Sequence, residues 1–250
     1  MHFLLPLLLI FLQSAAARAG EIIGGRETKP HSRPYMAYLQ YKDKNGKENI
    51  CGAFLVQENF LLTAAHCYGS SINITLGAHN IKKKEGTQQR IPVLKAIPHE
   101  LYDKQTFNND IMLLKLKNKA KLNKAVNLLR LPKTKRRVRG GKSCTVAGWG
   151  RNRQRKYPDT LHEVELKVKE DRDCMKLYPK NYNNSTQMCV GDPKDEKASF
   201  KGDSGGPLVC DKVAQGIVSY GYADGRNPRV YTWVASFLPW IKKTMKAHEY

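Results

Sequence analysis

The sequence predicts an all-β chain of sandwich or barrel architecture with one helix at its C-terminus. Three observations carry this. Short runs rich in β-branched and aromatic residues recur with turn signals between them. No repeat of 20–50 residues and no Pro/Ser/Gly-rich linker divides the 250 residues. Only two stretches carry a helical pattern, around Asp171–Tyr178 and Trp233–Lys246.

The β-type runs are YMAYLQY (35–41), AFLVQENFLLTAA (53–65), INITLGA (72–78), IMLLKL (111–116), CTVAGW (144–149), LHEVELKV (161–168), PLVC (207–210), AQGIVSY (214–220) and RVYTWV (229–234). In the C-terminal stretch Val234, Phe237, Leu238, Ile241 and Met245 fall on one helical face. The start, MHFLLPLLLIFLQSAAARAG, combines an apolar run from Phe3 to Leu12 with an A-x-A pattern at Ala17-Arg18-Ala19. This is the pattern of a secretory signal peptide over residues 1–19. The run is too short for a transmembrane span, and no later segment is apolar over ~18 residues. A soluble, secreted chain follows. A single domain over 22–250 acting as a monomer is the simplest organisation.

Six cysteines stand at Cys51, Cys67, Cys144, Cys174, Cys189 and Cys210. An even count in an oxidising compartment points to three disulfides. No C-x-x-C and no Cys/His cluster at ligand spacing supports the competing zinc reading, so no metal or cofactor is implied. Lys and Arg number 43 against 22 Asp and Glu, a net charge of +21. The first 21 residues contribute one arginine and one glutamate, so their removal leaves that charge unchanged. Basic runs stand at Lys82-Lys83-Lys84, KTKRRVRGGK (133–142), RNRQRK (151–156) and KKTMK (242–246). Scattered lysines would only solvate a surface. Runs this dense raise the local concentration of polyanions. The absence of any nucleic-acid motif and the secretory route leave a sulfated glycosaminoglycan, as on a proteoglycan, or an anionic cell surface as the partner.

Three segments carry chemistry. LTAAHCYG holds His66, FNNDIMLLKL holds Asp110 at the mouth of an apolar strand, and FKGDSGGPLV holds Ser204. A serine hydroxyl is a weak nucleophile and needs a base, and imidazole suits neutral pH. The imidazole needs a carboxylate on its other nitrogen to fix its tautomer and stabilise its cation. Each segment alone also reads as a plain turn or cap. Together, in a secreted six-cysteine chain, they point to nucleophilic acyl transfer.

These segments, with IIGGRETKPHSRPYMAYLQ, CTVAGWG, VAQGIVSYG and WIKKTMK, resemble the chymotrypsin-like serine proteases, and more narrowly the granzyme branch of granule proteases. The resemblance runs from Ile22 to the C-terminal helix. It implies two six-stranded antiparallel β-barrels with the active site between them. It implies the disulfides Cys51–Cys67, Cys144–Cys210 and Cys174–Cys189. A fourth bridge common in digestive members would begin at position 200, where this chain has Phe200, and granule proteases of this branch also lack it. The implied roles are His66, Asp110 and Ser204 as triad, backbone N–H groups of Gly202 and Ser204 as oxyanion hole, and Ser219 as support for Asp110.

The resemblance further implies a Gly20-Glu21 activation dipeptide, whose removal frees an Ile22 ammonium to pair with Asp203. It places Ala198 at the floor of the S1 pocket, where trypsin-like members have aspartate, and Arg229 at its base. A guanidinium there matches an Asp side chain at P1. The competing reading turns Arg229 to solvent and leaves an apolar, chymase-like slot. Lys201 would sit at the pocket rim, Phe107 would wall S2, and Tyr220 and Gly221 would bind the substrate backbone. Tyr222 departs from the branch, where a basic residue is found, which weakens the expected acidic preference at P3. Granule storage, perforin-type delivery to a target-cell cytosol and serpin inhibitors belong to the same implied picture. A heparin-binding or antimicrobial homologue without catalysis is the alternative of another class, but such homologues have lost His or Ser of the triad, and this chain keeps both. Sequons at Asn73, Asn183 and Asn184 are glycan acceptor candidates on surface loops.

Overall fold

The computed structural model describes residues 22–152, 154 and 156–249. The predicted leader and the Gly20-Glu21 dipeptide lie outside the described residues, as do Arg153 and Arg155. Thirteen strands, two helices and two 3₁₀ turns make up the described fold.

The chain opens with the two-residue strand β1 (Arg26–Glu27). Strands β2 (Met36–Lys42), β3 (Glu48–Gln57), β4 (Phe60–Thr63), β5 (Ser70–Leu76), β6 (Gln89–Pro98) and β7 (Met112–Leu116) then close an antiparallel barrel in the order β2-β3-β4-β7-β6-β5. β4 and β7 are buried along their whole length, as their continuous apolar runs require. The run 53–65, read as one β segment, is two strands broken by a turn at Glu58-Asn59. The backbone carbonyls of that turn accept from Ala120 and Leu116. β6 carries no sequence signal, because Pro92 interrupts it and four of its ten residues are exposed. A register shift between Val93 and Lys95 absorbs the interruption.

The second half holds β8 (Ser143–Gly148), β9 (His162–Lys167), β10 (Gln187–Val190), β11 (Pro207–Cys210), β12 (Val213–Tyr220) and β13 (Arg229–Trp233). Their sheet runs β1-β9-β8-β11-β12-β13-β10. The chain leaving β9, beside the two-residue edge strand β1, comes round to meet the other edge strand, β10, at one bridge, Val168 to Val190. Lys169 N donates to Cys189 O and Gly191 N to Lys167 O, both at 2.8 Å, across that junction. The first ring is therefore closed by full ladders and the second by a short seam.

Helix α1 (Asp171–Leu177) follows β9, with Asp171 and Asp173 in its first turn, where the N-terminal partial charge favours anions. The C-terminal helix α2 (Leu238–Ala247) starts later than the sequence pattern suggested. A 3₁₀ turn, Val234–Phe237, precedes it, and Pro239 sits in its first turn, where a missing N–H costs nothing. The five expected apolar residues do face inward. Lys115, buried in β7, donates to His248 O at 2.7 Å and Glu249 O at 3.1 Å, meeting carbonyls at the end of α2.

One apolar core fills the barrel and reaches α2 through Val234, Phe237 and Ile241. A second lies under the other sheet and includes Ile22, Val146, Tyr231 and Trp233. Each fully buried Leu, Ile or Phe contributes about 1.5–3 kcal/mol. The three disulfides are those the resemblance implied. No helix among the described residues is long and apolar enough to cross a membrane.

Candidate active site

His66 stands in a 3₁₀ turn, Ala65–Cys67, directly after β4, and Asp110 two residues before β7. Because β4 and β7 are neighbours in the barrel, the two side chains meet. Asp110 Oδ2 lies 2.7 Å from His66 Nδ1, and Oδ1 accepts from the His66 backbone N–H at 2.9 Å. Ser219, on β12, donates to Oδ2 at 2.5 Å. An ionised carboxylate only accepts, so His66 Nδ1 carries the proton and Nε2 is left as the acceptor. Burial pushes the His66 pKa down, but the Asp110 charge and hydrogen bond push it up, and the net shift is upward from 6.5. Thr232 Oγ1 donates to Asp110 O at 2.8 Å and ties the segment to β13.

Ser204 lies in the loop between β10 and β11. Gly52 N donates to Ser204 O at 2.7 Å, which fixes the serine backbone against β3. Among the described residues the Ser204 hydroxyl makes no hydrogen bond, and in unliganded sites the contact to the base is commonly long. Gly202 has φ +102°, and a Cβ on it would stand 2.9 Å from Gly150 Cα. Only glycine fits that close approach in that conformation. Asp203 is fully buried, and its oxygens accept from Gly150 N at 2.9 Å and Phe200 N at 2.8 Å. Burial pushes its pKa up to about 7, against the pull of those two N–H groups and of Arg229. Ile22 is buried in the second core and Ile23 bridges to Ala198, so the start of the described chain is already packed inside.

Arg229 opens β13 and is 8 % exposed. It turns inward, and the solvent-facing alternative does not occur. Its Nη1 donates to Tyr222 O at 3.1 Å, and its Nε has no partner among the described residues. A Cβ on Gly221 would meet Arg229 Cζ at 2.8 Å, so glycine at 221 is what lets the guanidinium lie there. Burial pushes the Arg229 pKa down from 12.5. Phe200, at the position of the missing fourth bridge, has its ring 6.0 Å from Arg229 Cζ. Ala198 is fully buried and bridges to Ile23, and Lys201 is exposed.

A chain of aromatic rings runs from His66. His66 and Phe107 are 5.8 Å apart, Phe107 and Tyr220 5.3 Å, Tyr220 and Tyr178 5.6 Å, and Tyr178 and Tyr222 5.1 Å. Arg226 lies over the Tyr222 ring at 4.0 Å, and the Tyr222 hydroxyl donates to Leu177 O. Phe107 holds φ +57°, a conformation that costs a bulky residue ~1–3 kcal/mol and persists only where neighbours enforce it. Sequence reading found Phe107, Tyr220 and Tyr222 but missed Tyr178 and Gln187. Tyr178 stood at the end of a predicted helix. Gln187 lies in a four-residue strand, β10, with no alternating pattern to mark it.

The basic run 133–142 is not uniformly solvated. Lys133, Lys135, Arg136 and Arg139 are exposed. Arg137 folds inward over the Trp233 ring at 4.7 Å and donates to Gln187 O at 2.6 Å, to Asn184 O at 2.8 Å and to Asp171. Lys142 pairs with Asp211 at 2.7 Å. Asn73 is exposed on β5, and Asn183 and Asn184 are exposed on the loop between α1 and β10.

Comparison with known proteins agrees with this geometry. The family model described as Trypsin matches residues 22–241. "Granzyme B(G,H)" of Mus musculus is 60% identical over 245 residues, covering 98% of this chain and 99% of that protein. "Granzyme B" of Homo sapiens is 58% identical over 243 residues, covering 97% and 98%. "Cathepsin G" of Homo sapiens is 55% identical over 243 residues, covering 97% and 94%. A solved structure described as "Structure of GrC" superposes with TM-score 0.87 at 55% identity, covering 90% of this chain and all of that one. The chain therefore belongs to the trypsin family, the chymotrypsin-like serine endopeptidases, and stands with their granzymes.

Proposed function

We propose that this serine endopeptidase cuts after Asp and acts as a cytotoxic-granule effector that kills target cells by proteolysis. The observation that carries the P1 assignment is Arg229, a buried cation turned inward against Gly221 with its Nε unpartnered. A carboxylate entering beside it leaves water favourably only because a cation meets it. A guanidinium offers the planar two-pronged donor that a carboxylate takes. Ala198 brings no charge of its own to the floor.

In the reaction Ser204 Oγ attacks the carbonyl after Asp, and His66 Nε2 takes its proton. Asp110 stabilises the imidazolium that results. The N–H groups of Gly202 and Ser204 hold the oxyanion, each worth ~10²–10³ in rate. His66 then protonates the leaving amine, and water releases the acyl group by the same steps in reverse. Removal of Gly20-Glu21 would give Ile22 an ammonium that pairs with Asp203 and completes the pocket. The exposed basic runs would store the enzyme on a sulfated proteoglycan. Delivery into a target cytosol, serpin control and glycans at Asn73 and at Asn183 or Asn184 complete this reading.

A P1 scan with otherwise identical tetrapeptides tests it. Asp should lead, and Asn should be poor because it has the shape without the charge. Arg229→Gly should abolish cleavage after Asp and admit Phe or Tyr, while Ser204 still reacts with a fluorophosphonate. The similarity to cathepsin G supports the second reading, a chymase-like slot. Wild-type preference for Phe or Met would select that reading.

A further inference from the structure

Gln187 is 1 % exposed, and both polar groups of its side chain are hydrogen-bonded. Its Nε2 donates to Phe107 O at 3.3 Å. Its Oε1 accepts from Asn183 N at 2.8 Å and from the Tyr220 hydroxyl at 3.3 Å. Its strand neighbour across the sheet is Thr232, whose hydroxyl holds Asp110 O. One rung of the second sheet thus grips both ends of the segment Phe107–Asp110, which belongs to the barrel half. That segment contains two left-handed non-glycine residues, Phe107 and Asn109. Such backbone stays in place only when its surroundings fix it. Behind the rung, Arg137 donates to Gln187 O and lies over Trp233, so the strand is fixed from the outside as well.

We propose that Gln187 is a positioning residue for substrate recognition, holding Phe107 and Tyr220 in the relative placement that a P2 side chain meets. The proposal rests on the face beside His66 that carries these rings being a peptide-binding site, and it deepens that reading. Phe107 presents its ring to both His66 and Tyr220, so a swing of its backbone would open the S2 wall without moving Asp110, which Thr232 and Ser219 hold separately. Arg137 acts at one further remove, through the Gln187 carbonyl.

The test compares kcat/KM for peptides with a bulky P2 and with Gly at P2, each carrying whichever P1 residue the wild type cleaves best. A wrong P1 assignment then shows in the wild type alone, and a wrong Gln187 assignment only in the variants. Gln187→Leu keeps the size and removes all three hydrogen bonds. Gln187→Glu keeps the acceptor toward Asn183 and Tyr220 but faces Phe107 O with no donor. Both should reduce the ratio of bulky to Gly P2 at least fivefold, mainly through KM. The rate of labelling by a small fluorophosphonate should fall by clearly less. Arg137→Gln should move the ratio in the same direction by a smaller factor. If Gln187→Leu fails to fold, Gln187→Glu carries the test. An unchanged P2 ratio in Gln187→Glu overturns the proposal, and so does an equal loss toward peptide and fluorophosphonate.

Discussion

The two halves of the molecule handle buried charge differently. In the barrel half, Asp110 is surrounded by the His66 backbone N–H, the His66 imidazole and the Ser219 hydroxyl, and all three contacts are made. In the second half, Asp203 has two backbone donors and a pKa pushed up to about 7, and Arg229 has an unpartnered Nε and a pKa pushed down. The first carboxylate is fully compensated within the fold. The other two groups carry a remaining cost of burial. On the reading proposed above, each of them is completed by a group that processing or substrate brings: the freed Ile22 ammonium for Asp203 and a substrate carboxylate for Arg229. A half that is complete can be tested by removing a partner, and a half that is incomplete by supplying or withholding one.

The largest effect is expected where a made contact is broken. Asp110→Asn should lower kcat by ~10⁴, because the imidazole loses both its tautomer and its counter-charge. The same change should shift the pH profile. Activity requires neutral His66 and rises as pH passes its pKa, which Asp110 holds above 6.5. Without the carboxylate that pKa falls, so the acid limb of kcat/KM should move to lower pH. A limb that stays in place would show that Asp110 does not set the proton affinity of His66.

The next effect concerns the incomplete half. Enzyme retaining Gly20-Glu21 has no ammonium at Ile22, and activity should fall by an amount set by a missing buried ion pair. That is about 3–5 kcal/mol, of order 10²–10⁴ in rate. The two forms should also differ in how melting temperature depends on pH. A carboxyl raised to about 7 in the folded state contributes stability that is fully present below its unfolded value, ~3.9, and is lost as pH rises through 7. The form with the dipeptide should therefore lose stability from acid to neutral pH more steeply than the form without it. Parallel Tm curves and equal turnover for the two forms would remove Asp203 from the contrast.

The smallest effect separates surface charge from structural charge within one run. Changing Lys133, Lys135, Arg136 and Arg139 to Gln should lower the salt at which the protein leaves heparin, since exposed contacts are screened by salt. Cleavage of small peptides should stay within about twofold, the range expected of surface changes. Unchanged retention would place the polyanion surface elsewhere on the molecule.

The site was legible where the relevant contacts are encoded in contiguous words. LTAAHC, NDIMLLKL and GDSGGP each put one candidate side chain in the turn or loop beside a strand, and P-R-V-Y puts Arg229 at the start of another. The disulfide pairing came with the resemblance to the family, not from cysteine spacing. What stayed hidden depends on long-range geometry. Arg137 reads as one more cation in a basic run, and only the packing of Trp233 and the carbonyls of Asn184 and Gln187 turns it inward. Gln187 reads as a polar residue between a loop and a cysteine, and its partner Phe107 lies 80 residues away. In the fold, β6 was hidden by Pro92 and its outward-facing residues, and the delayed start of α2 by a 3₁₀ turn whose apolar residues keep the helical spacing.

The seam that closes the second ring has a chemical consequence. The Cys174–Cys189 bridge spans it, joining α1 to β10 beside the Val168 to Val190 contact. Reduction of a disulfide requires a thiolate to approach one of its sulfurs. Cys174 is 0 % exposed and Cys189 1 % exposed, so no external thiol can make that approach while the seam is shut. In a thiol-rich solution the lifetime of this bridge is then governed by how often β9 and β10 part, and the speed of its reduction becomes a clock for the opening of the seam beside Tyr178 and Gln187.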